Sequence, residues 1–498
     1  MTTSWRRPAA IACFAVVLSA SIVGVAAAQT GASRPNIVFV LTDDLSPNLV
    51  TAQFMPNLWA LEQQGAQFTN YFVTDSLCCP SRASIFTGRY PHDTGVFNNS
   101  GADGGYGAFQ ANGDEYSTVA TDLHTAGYRT AMMGKYLNRY QTNDPPGQGW
   151  DAWDVANWGY PEFHYDLNEN GRIVDYGGAH RPGKVNYLTD VLSGLADSFV
   201  TNTTTNHPSQ PFFLEVASFA PHEPYTPAPR YADLYPNLTY PVTPAFDAAT
   251  IHAPSWLGDR PPITPSQLGV IDTAFRKRAE SVKSVDDLIG SLTATLRQTG
   301  QLANTYFVFS SDNGLHMGEH RLMPGKLTAF DTDIHVPLVV VGPKVSAGSN
   351  IQAFAENIDL RSTFDALAGT QPSEAVDGRS LTPLLIGPAG PSAVPSGWPK
   401  GVLVEHHGPD GASAGPDRPA PRSGDPPTYE ALRLSNGLYV EYATGEREYY
   451  DLATDPYEID NVYSSLAPQR IVALHRELVA LENCHDSPSC SQVAVPTS

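Results

Sequence analysis

The chain has 498 residues, enough for a large core and about two domains. Its formal net charge of −21 argues against nucleic acid as a partner. That charge also repels an anionic substrate at long range, so any positive pocket has to be local. At the N-terminus, Arg6 and Arg7 precede an apolar run from Ile11 to Val25 and the small residues Ala26-Ala27-Ala28. This reads as a secretory signal over 1–28, with export to an extracellular, periplasmic or lysosomal space. The other reading, a membrane anchor, needs a longer apolar run. No later stretch is long and apolar enough to cross a bilayer, so no stable membrane insertion is expected.

Asn36 to Thr42 is a continuous apolar run rich in β-branched residues, the pattern of a parallel strand buried on both faces. It ends in Asp43-Asp44. Pro56 to Gly65 predicts a helix and Phe68 to Val73 a second strand. In Cys78-Cys79-Pro80-Ser81-Arg82, Pro80 presets a first helical turn and Thr87-Gly88 stops the helix. Cys78 is then expected just before a helix N-terminus, where free N–H groups favour an anion. Thr118 to Ala126 predicts a helix, and Tyr128 to Met133 a strand closed by Gly134-Lys135. Tyr187 to Val200 predicts a helix, and Phe212 to Phe219 a strand followed by Pro221-His222. Phe275 to Thr299 predicts a long amphipathic helix, and Tyr306 to Ser311 a strand followed by Asp312-Asn313-Gly314. Val336 to Val341 is one more buried strand. This alternation argues for an α/β fold with a mostly parallel sheet. Ligands in such sheets bind at the carboxyl ends of strands, where Asp43-Asp44, Lys135, His222 and Asp312-Asn313 all fall.

From about Pro383 the texture changes. Gly387 to Pro399 and Gly408 to Pro427 are Pro- and Gly-rich and read as loops. Val402 to Glu405, Tyr429 to Leu434, Tyr439 to Tyr442 and Glu446 to Tyr450 read as strands, with turn signals at Ser435-Asn436-Gly437 and Thr444-Gly445. An amphipathic helix follows from Ala467 to Glu482. The expected division is a signal over 1–28, a catalytic domain over 34–385 and a smaller subdomain over 386–498, built as an antiparallel sheet with one helix. Cys484 and Cys490 flank a short loop and can close a disulfide in an oxidising compartment. Cys13 leaves with the signal.

Cys-x-Pro-Ser-Arg followed by Thr87-Gly88-Arg89 resembles the signature of type I sulfatases, in which the first cysteine is oxidised to formylglycine. The chemistry explains the need: one hydroxyl of the aldehyde hydrate attacks sulfur, and the other expels sulfate by re-forming the aldehyde. The segment Asp312-Asn313-Gly314-x-x-x-Gly318-Glu319-His320-x-x-x-x-Gly325-Lys326 resembles the second sulfatase signature. Asp451 to Glu458 resembles a C-terminal segment of sulfatases, and Met55-Pro56-Asn57-Leu58, Cys78 to Arg82, Gly134-Lys135-Tyr136-Leu137-Asn138 and the Ser310 to Gly314 region are similar to N-acetylglucosamine-6-sulfatases and their relatives. The resemblance runs from Arg34 to about Tyr463. It implies an alkaline-phosphatase-like fold, one calcium ion, formylglycine from Cys78, and a formylglycine-generating enzyme as a partner during maturation.

The oxygen-only set Asp43, Asp44, Asp312 and Asn313 suits a hard cation, calcium over magnesium; the oxygen that replaces the Cys78 sulfur would complete the metal's ligands. Arg82, Lys135 and Lys326 are expected to neutralise the sulfuryl oxygens, and His222 to meet the bridging oxygen. Taken singly, each of these motifs is as well read as a cap, a turn or a solvated charge. One departure is notable: many sulfatases carry a histidine two residues after the lysine, where this chain has Leu137. Asp312 or water is then expected as the base for sulfate expulsion. His92, His316, His320, His406 and His407 are expected to be structural or at the substrate rim. The expected activity is hydrolysis of a sulfated sugar such as N-acetylglucosamine 6-sulfate, or of an aryl sulfate. The competing readings are a phosphodiesterase or phosphonate monoester hydrolase of the same superfamily, and a non-catalytic secreted sulfoglycan-binding protein. Specificity is expected in loops such as Gly101 to Tyr116 and Gly408 to Pro427.

Overall fold

A computed structural model of the chain describes residues 1–5, 34–177, 186–387, 394–409 and 417–491. The expected signal segment lies outside the described residues from position 6 onward, as do parts of both Pro- and Gly-rich stretches. The chain divides into units 1–33 and 34–498, and the fold described is that of the second. No helix among the described residues is long and apolar enough to cross a membrane.

Sixteen strands are described: β1 (Asn36–Thr42), β2 (Ala66–Phe68), β3 (Tyr71–Phe72), β4 (Arg129–Lys135), β5 (Ala152–Ala156), β6 (Asp166–Glu169), β7 (Arg172–Asp175), β8 (Phe212–Ala217), β9 (Thr305–Ser311), β10 (Leu338–Val341), β11 (Ser349–Ile351), β12 (Ala355–Glu356), β13 (Gly401–His406), β14 (Tyr429–Leu434), β15 (Gly437–Tyr442) and β16 (Arg447–Asp451). Ten of them form one sheet in the order β11-β2-β10-β9-β1-β8-β4-β5-β6-β7. The five central strands, β9 to β5, run parallel. β1 is buried along its whole length. Val38 and Val40 enter one apolar core and Phe39 and Leu41 the other, as the period-2 alternation of a strand requires. Each such buried side chain contributes roughly 1.5–3 kcal/mol relative to exposure. The helices Leu188–Asn206 and Pro265–Gln298 cover the first core, and Cys78–Thr87 and Asp359–Ala368 the second.

Several expected boundaries move. The strand expected over 68–73 is two short strands in different sheets, because the chain turns at Thr69 and Asn70 to bond Ile351 and Gln352. The long helix starts at Pro265, well before Phe275, under a capping box between Thr264 and Gln267; its first turns are exposed and give no apolar stripe. β5 to β7 had no strong sequence signal. The strand expected from Val336 begins at Leu338 and pairs antiparallel with both β9 and β2. The C-terminal antiparallel sheet is β13-β14-β15-β16. The helix Pro468–Glu482 packs its Leu474, Leu478 and Leu481 in one apolar cluster with Leu403 and Leu432 of that sheet. Cys484 and Cys490 are joined in a disulfide.

Candidate active site

The sheet order makes β9, β1, β8 and β4 consecutive neighbours. Their carboxyl ends therefore deliver Asp312-Asn313, Asp43-Asp44, His222 and Lys135 to one place. At the end of β1 the backbone turns sharply, with Asp44 at φ 61°. The Asp44 N–H donates to Asp312 Oδ1 at 3.1 Å, and Arg278 of the long helix donates to the Asp44 carbonyl. Gly134 lets β4 approach β8: at its φ of 98°, an added Cβ would fall 2.0 Å from the Ala217 carbonyl oxygen. Lys326 arrives by a fold-back. His316 and Gly325 bond each other in both directions, at 2.9 and 3.1 Å, which returns the chain after Asn313 to the site.

Cys78 is the first residue of its helix, one position further in than expected, because Leu77 with extended backbone occupies the N-cap. Its Sγ donates to Asp43 Oδ1 at 3.3 Å and accepts from Lys326 Nζ at 2.7 Å. Cys79 turns into the apolar core between helix and sheet. Lys135 Nζ bonds Asp43 Oδ2 at 2.5 Å, and Lys326 Nζ bonds Asp44 Oδ1 at 2.6 Å. Asn313 Nδ2 donates to the same Asp44 oxygen at 2.6 Å. His222 Nδ1 donates to the Glu223 carbonyl at 2.8 Å. That leaves Nε2 facing inward, 3.5 Å from Asp44 Oδ2 and 3.7 Å from Asp417 Oδ1.

Arg82 is fully buried and turned away from the open side of the site. Its Nε donates to Asp312 Oδ2 and its Nη1 to the Lys135 carbonyl, each at 2.8 Å. The guanidinium expected on sulfuryl oxygens thus bonds that carboxylate through Nε, and its Nη2 has no hydrogen-bond partner among the described residues. Arg82 thereby engages one oxygen of the carboxylate expected as a base. Its other oxygen accepts from the Asp44 and Asn313 N–H groups, and the carboxylate that meets Cys78 is Asp43.

The electrostatics follow from burial and neighbours. Burial alone raises the Asp43 pKa, but Lys135, with His222, Arg82 and Lys326, outweighs it and holds the carboxyl well below the usual range. Burial and then Asp43 push Asp312 up to about 6, against Arg82 and Lys135. For Lys135 and Lys326 burial opposes the charge, but Asp43 and Asp44 overcome it and both pKa values rise. Burial and Asp43 push the Cys78 thiol well up, and burial takes Cys79 to about 12.

The donor set fits a hard divalent cation. Ligand atoms of Asp43, Asp44, Cys78 and His222 all lie within 4.8 Å of one another; His222 is outside the expected ligand set, and Asp312 of that set is outside this group. Asn313 Oδ1 is buried beside Asp44 with no hydrogen-bond partner among the described residues. Asp43, Asp44 and Asp312 are already matched by Lys135, Lys326 and Arg82. A divalent ion would therefore leave the site positive and suited to an anion, within a chain of net charge −21.

Two residues were not singled out from the sequence. Asp417, beside His222, comes from the Pro- and Gly-rich stretch read only as a specificity loop. Tyr160 donates to Asp417 Oδ1 at 2.8 Å and accepts from Asn138 Nδ2 at 3.2 Å. Its ring lies 4.7 Å from the His222 ring and 5.0 Å from Lys135 Nζ. Neither had a motif to mark it. Leu137 is buried in the core, and four of the other histidines singled out bond or stack away from the cluster. His316 bonds Asp333 at 2.9 Å, His320 stacks on Phe330 at 4.0 Å, His407 stacks on Phe97 at 3.5 Å, and His92 bonds Glu405 at 2.9 Å.

Comparison with known proteins gives a consistent result. The profile of the Sulfatase family matches residues 35–370. The N-acetylglucosamine-6-sulfatase of Homo sapiens is 33% identical, over 94% of this chain and 88% of that protein. A solved structure described as a complex with its substrate D-glucosamine-2-N,6-O-disulfate superposes with a TM-score of 0.71 at 23% identity, covering 90% of this chain and 97% of that one. The phosphonate monoester hydrolase of Agrobacterium radiobacter superposes with a TM-score of 0.66 at 22% identity, covering 90% and 95%. At these identities the two structures establish the fold.

Proposed function

The chain belongs to the sulfatase family and is a sulfuric ester hydrolase; we propose that it cleaves sugar sulfates, such as N-acetylglucosamine 6-sulfate, using a formylglycine formed at Cys78 and one calcium ion. The observation that carries this reading is the meeting of Cys78 with Asp43 and Lys326 at the ends of β1 and the fold-back. In the present structure Cys78 Sγ stands in for an oxygen of the formylglycine hydrate, which supplies the nucleophile. Asp43, Asp44, Asp312, Asn313 and that oxygen would hold the calcium, which when bound withdraws charge from the sulfuryl oxygens.

The other roles belong to the chain's own side chains. Lys326 and Lys135 hold the sulfuryl oxygens and favour charge that grows on them. His222 presents Nε2 to the bridging oxygen and gives a proton to the departing alcohol. Asp417 and Tyr160 orient that imidazole, and Arg82 orients Asp312. We read 34–385 as the catalytic part and 386–498 as a smaller subdomain. We read 1–28 as an export signal, consistent with the Cys484–Cys490 disulfide. A formylglycine-generating enzyme then acts on Cys78 during maturation.

The test pairs a mass spectrum of the Cys78 peptide with steady-state rates on N-acetylglucosamine 6-sulfate and on the matched phosphate and phosphonate monoesters. An aldehyde at Cys78 and a kcat/KM highest on the sulfate are expected. A preference for the phosphonate would favour the phosphonate hydrolase reading, and an unmodified thiol with no turnover the non-catalytic one.

A further inference from the structure

A second group of metal-ligating side chains shares no residue with the active site. Ligand atoms of His92, Asp93 and His485 all fall within 4.8 Å of one another. His92 and Asp93 belong to the short helix Pro91–Thr94, and His485 follows Cys484 in the loop that the disulfide to Cys490 closes. His485 Nδ1 donates to Asp93 Oδ1 at 2.7 Å, and His92 Nε2 stands 4.0 Å from Asp93 Oδ2. His92 Nε2 also donates to the Cys484 carbonyl at 2.8 Å, which adds a main-chain oxygen to the group. Donors around a four-coordinate zinc, at bond lengths of about 2.0–2.1 Å, stand about 3.3 Å apart. Shifts of under about 1 Å would therefore close this group on one ion.

The surroundings of His92 are those of a ligand. Its ring stacks on Tyr90 at 5.4 Å, and its Nδ1 donates to Glu405 of β13 at 2.9 Å. A carboxylate behind a histidine in this way fixes the ring and aims its other nitrogen at a metal. Here the aimed nitrogen is Nε2, which faces Asp93 and the Cys484 carbonyl. Both hydrogen-bond partners of the ring are acceptors, so the metal-free ring carries two N–H groups and is a cation. A divalent ion takes the place of the Nε2 proton, which leaves to solvent, and keeps positive charge where the fold already holds it. His485 moves its proton from Nδ1 to Nε2 and offers Nδ1 as a ligand. Two imidazoles with a carboxylate and a carbonyl suit zinc, whereas calcium takes six to eight oxygens. The His485 side chain is 68% exposed, so an ion reaches the group from solution. We propose that His92, Asp93 and His485, with the Cys484 carbonyl, form a zinc site that fastens segment 484–490 to the helix Pro91–Thr94. The site lies outside the ester chemistry and does not depend on it.

The test is calorimetric titration of the full chain with zinc chloride, after metal is stripped and calcium is added to saturation so that the active-site carboxylates are occupied. Wild type should bind about one equivalent of zinc, as a single site requires. His485→Ala changes an exposed side chain and should weaken that binding by at least about tenfold. Glu405→Gln should weaken it by about tenfold, the scale for a carboxylate behind a ligating histidine. Zinc should raise the melting temperature of wild type and leave that of His485→Ala unchanged, because only the first has a site to fill. Turnover of the sulfate ester should be the same in His485→Ala as in wild type. No zinc binding by wild type would overturn the site. Equal binding by wild type and His485→Ala would place the ion elsewhere and overturn it too.

Discussion

Lys326 Nζ lies 2.7 Å from Cys78 Sγ and 2.6 Å from Asp44 Oδ1, so one ammonium joins Cys78 to the acidic pair at the end of β1. A charge so placed stabilises negative charge on the nucleophile and on the group it attacks. Lys326→Met should lower kcat by roughly 10²–10³, the usual loss for one preorganised donor. Single-turnover and steady-state kinetics on the sugar sulfate would check this; a change in KM alone would contradict it.

Cys78 and Cys79 should separate cleanly. Cys78→Ala should abolish turnover, and a mass spectrum of wild-type peptide should place the aldehyde on Cys78. Cys79 packs in the core and touches none of the site's charged groups in a hydrogen bond through its sulfur, so Cys79→Ala should keep most activity. Fully active protein with an intact thiol at Cys78 would rule the assignment out.

Metal analysis of active protein should find about one equivalent of calcium, as expected for a single oxygen-rich site. Chelation should remove activity and lower the melting temperature, because an ion bound only by the folded state stabilises it by mass action. Asn313→Ala should weaken calcium binding measured by titration. Full activity in a metal-free preparation would refute the assignment.

His222, expected at the bridging oxygen, is tested against Asn138, the polar neighbour of Leu137. Asn138 is engaged with Tyr160, whereas His222 Nε2 faces the inner cavity. His222→Ala should lower kcat by roughly 10²–10⁴, the range for a lost acid or base. Asn138→Ala should cost much less. A trapped sulfated protein in Asn138→Ala, together with normal turnover in His222→Ala, would reverse the assignment.

Glu215 of β8 is buried in the sheet, and neither carboxyl oxygen has a hydrogen-bond partner among the described residues. Burial, opposed by Arg82, lifts its pKa from the ordinary 4.5 to about 8. The folded state therefore holds this proton more tightly than the unfolded one. Its favourable contribution is complete below about pH 4.5 and is lost as pH rises through about 8. Glu215→Gln removes the titration. Its melting temperature relative to wild type should rise between pH 5 and pH 8; a constant difference would show that Glu215 ionises normally.

The sequence by itself determined what depends on near neighbours along the chain. β1 was legible because five successive apolar residues, Ile37 to Leu41, can be satisfied only by burial on both faces. The helix at Cys78 was legible from Pro80 and Gly88, and the 484–490 disulfide from its short loop. The residues of the site were legible because each ends a strand or sits in a spaced motif. Their meeting at one place, and their partners, were decided only by the tertiary structure. The order β9-β1-β8-β4 comes from long-range pairing and brings together residues that are far apart in the chain. Arg82 faces Asp312 because of how its helix lies on the sheet, which local spacing does not encode. Asp417 and Tyr160 had no motif because their roles arise from contacts across the fold.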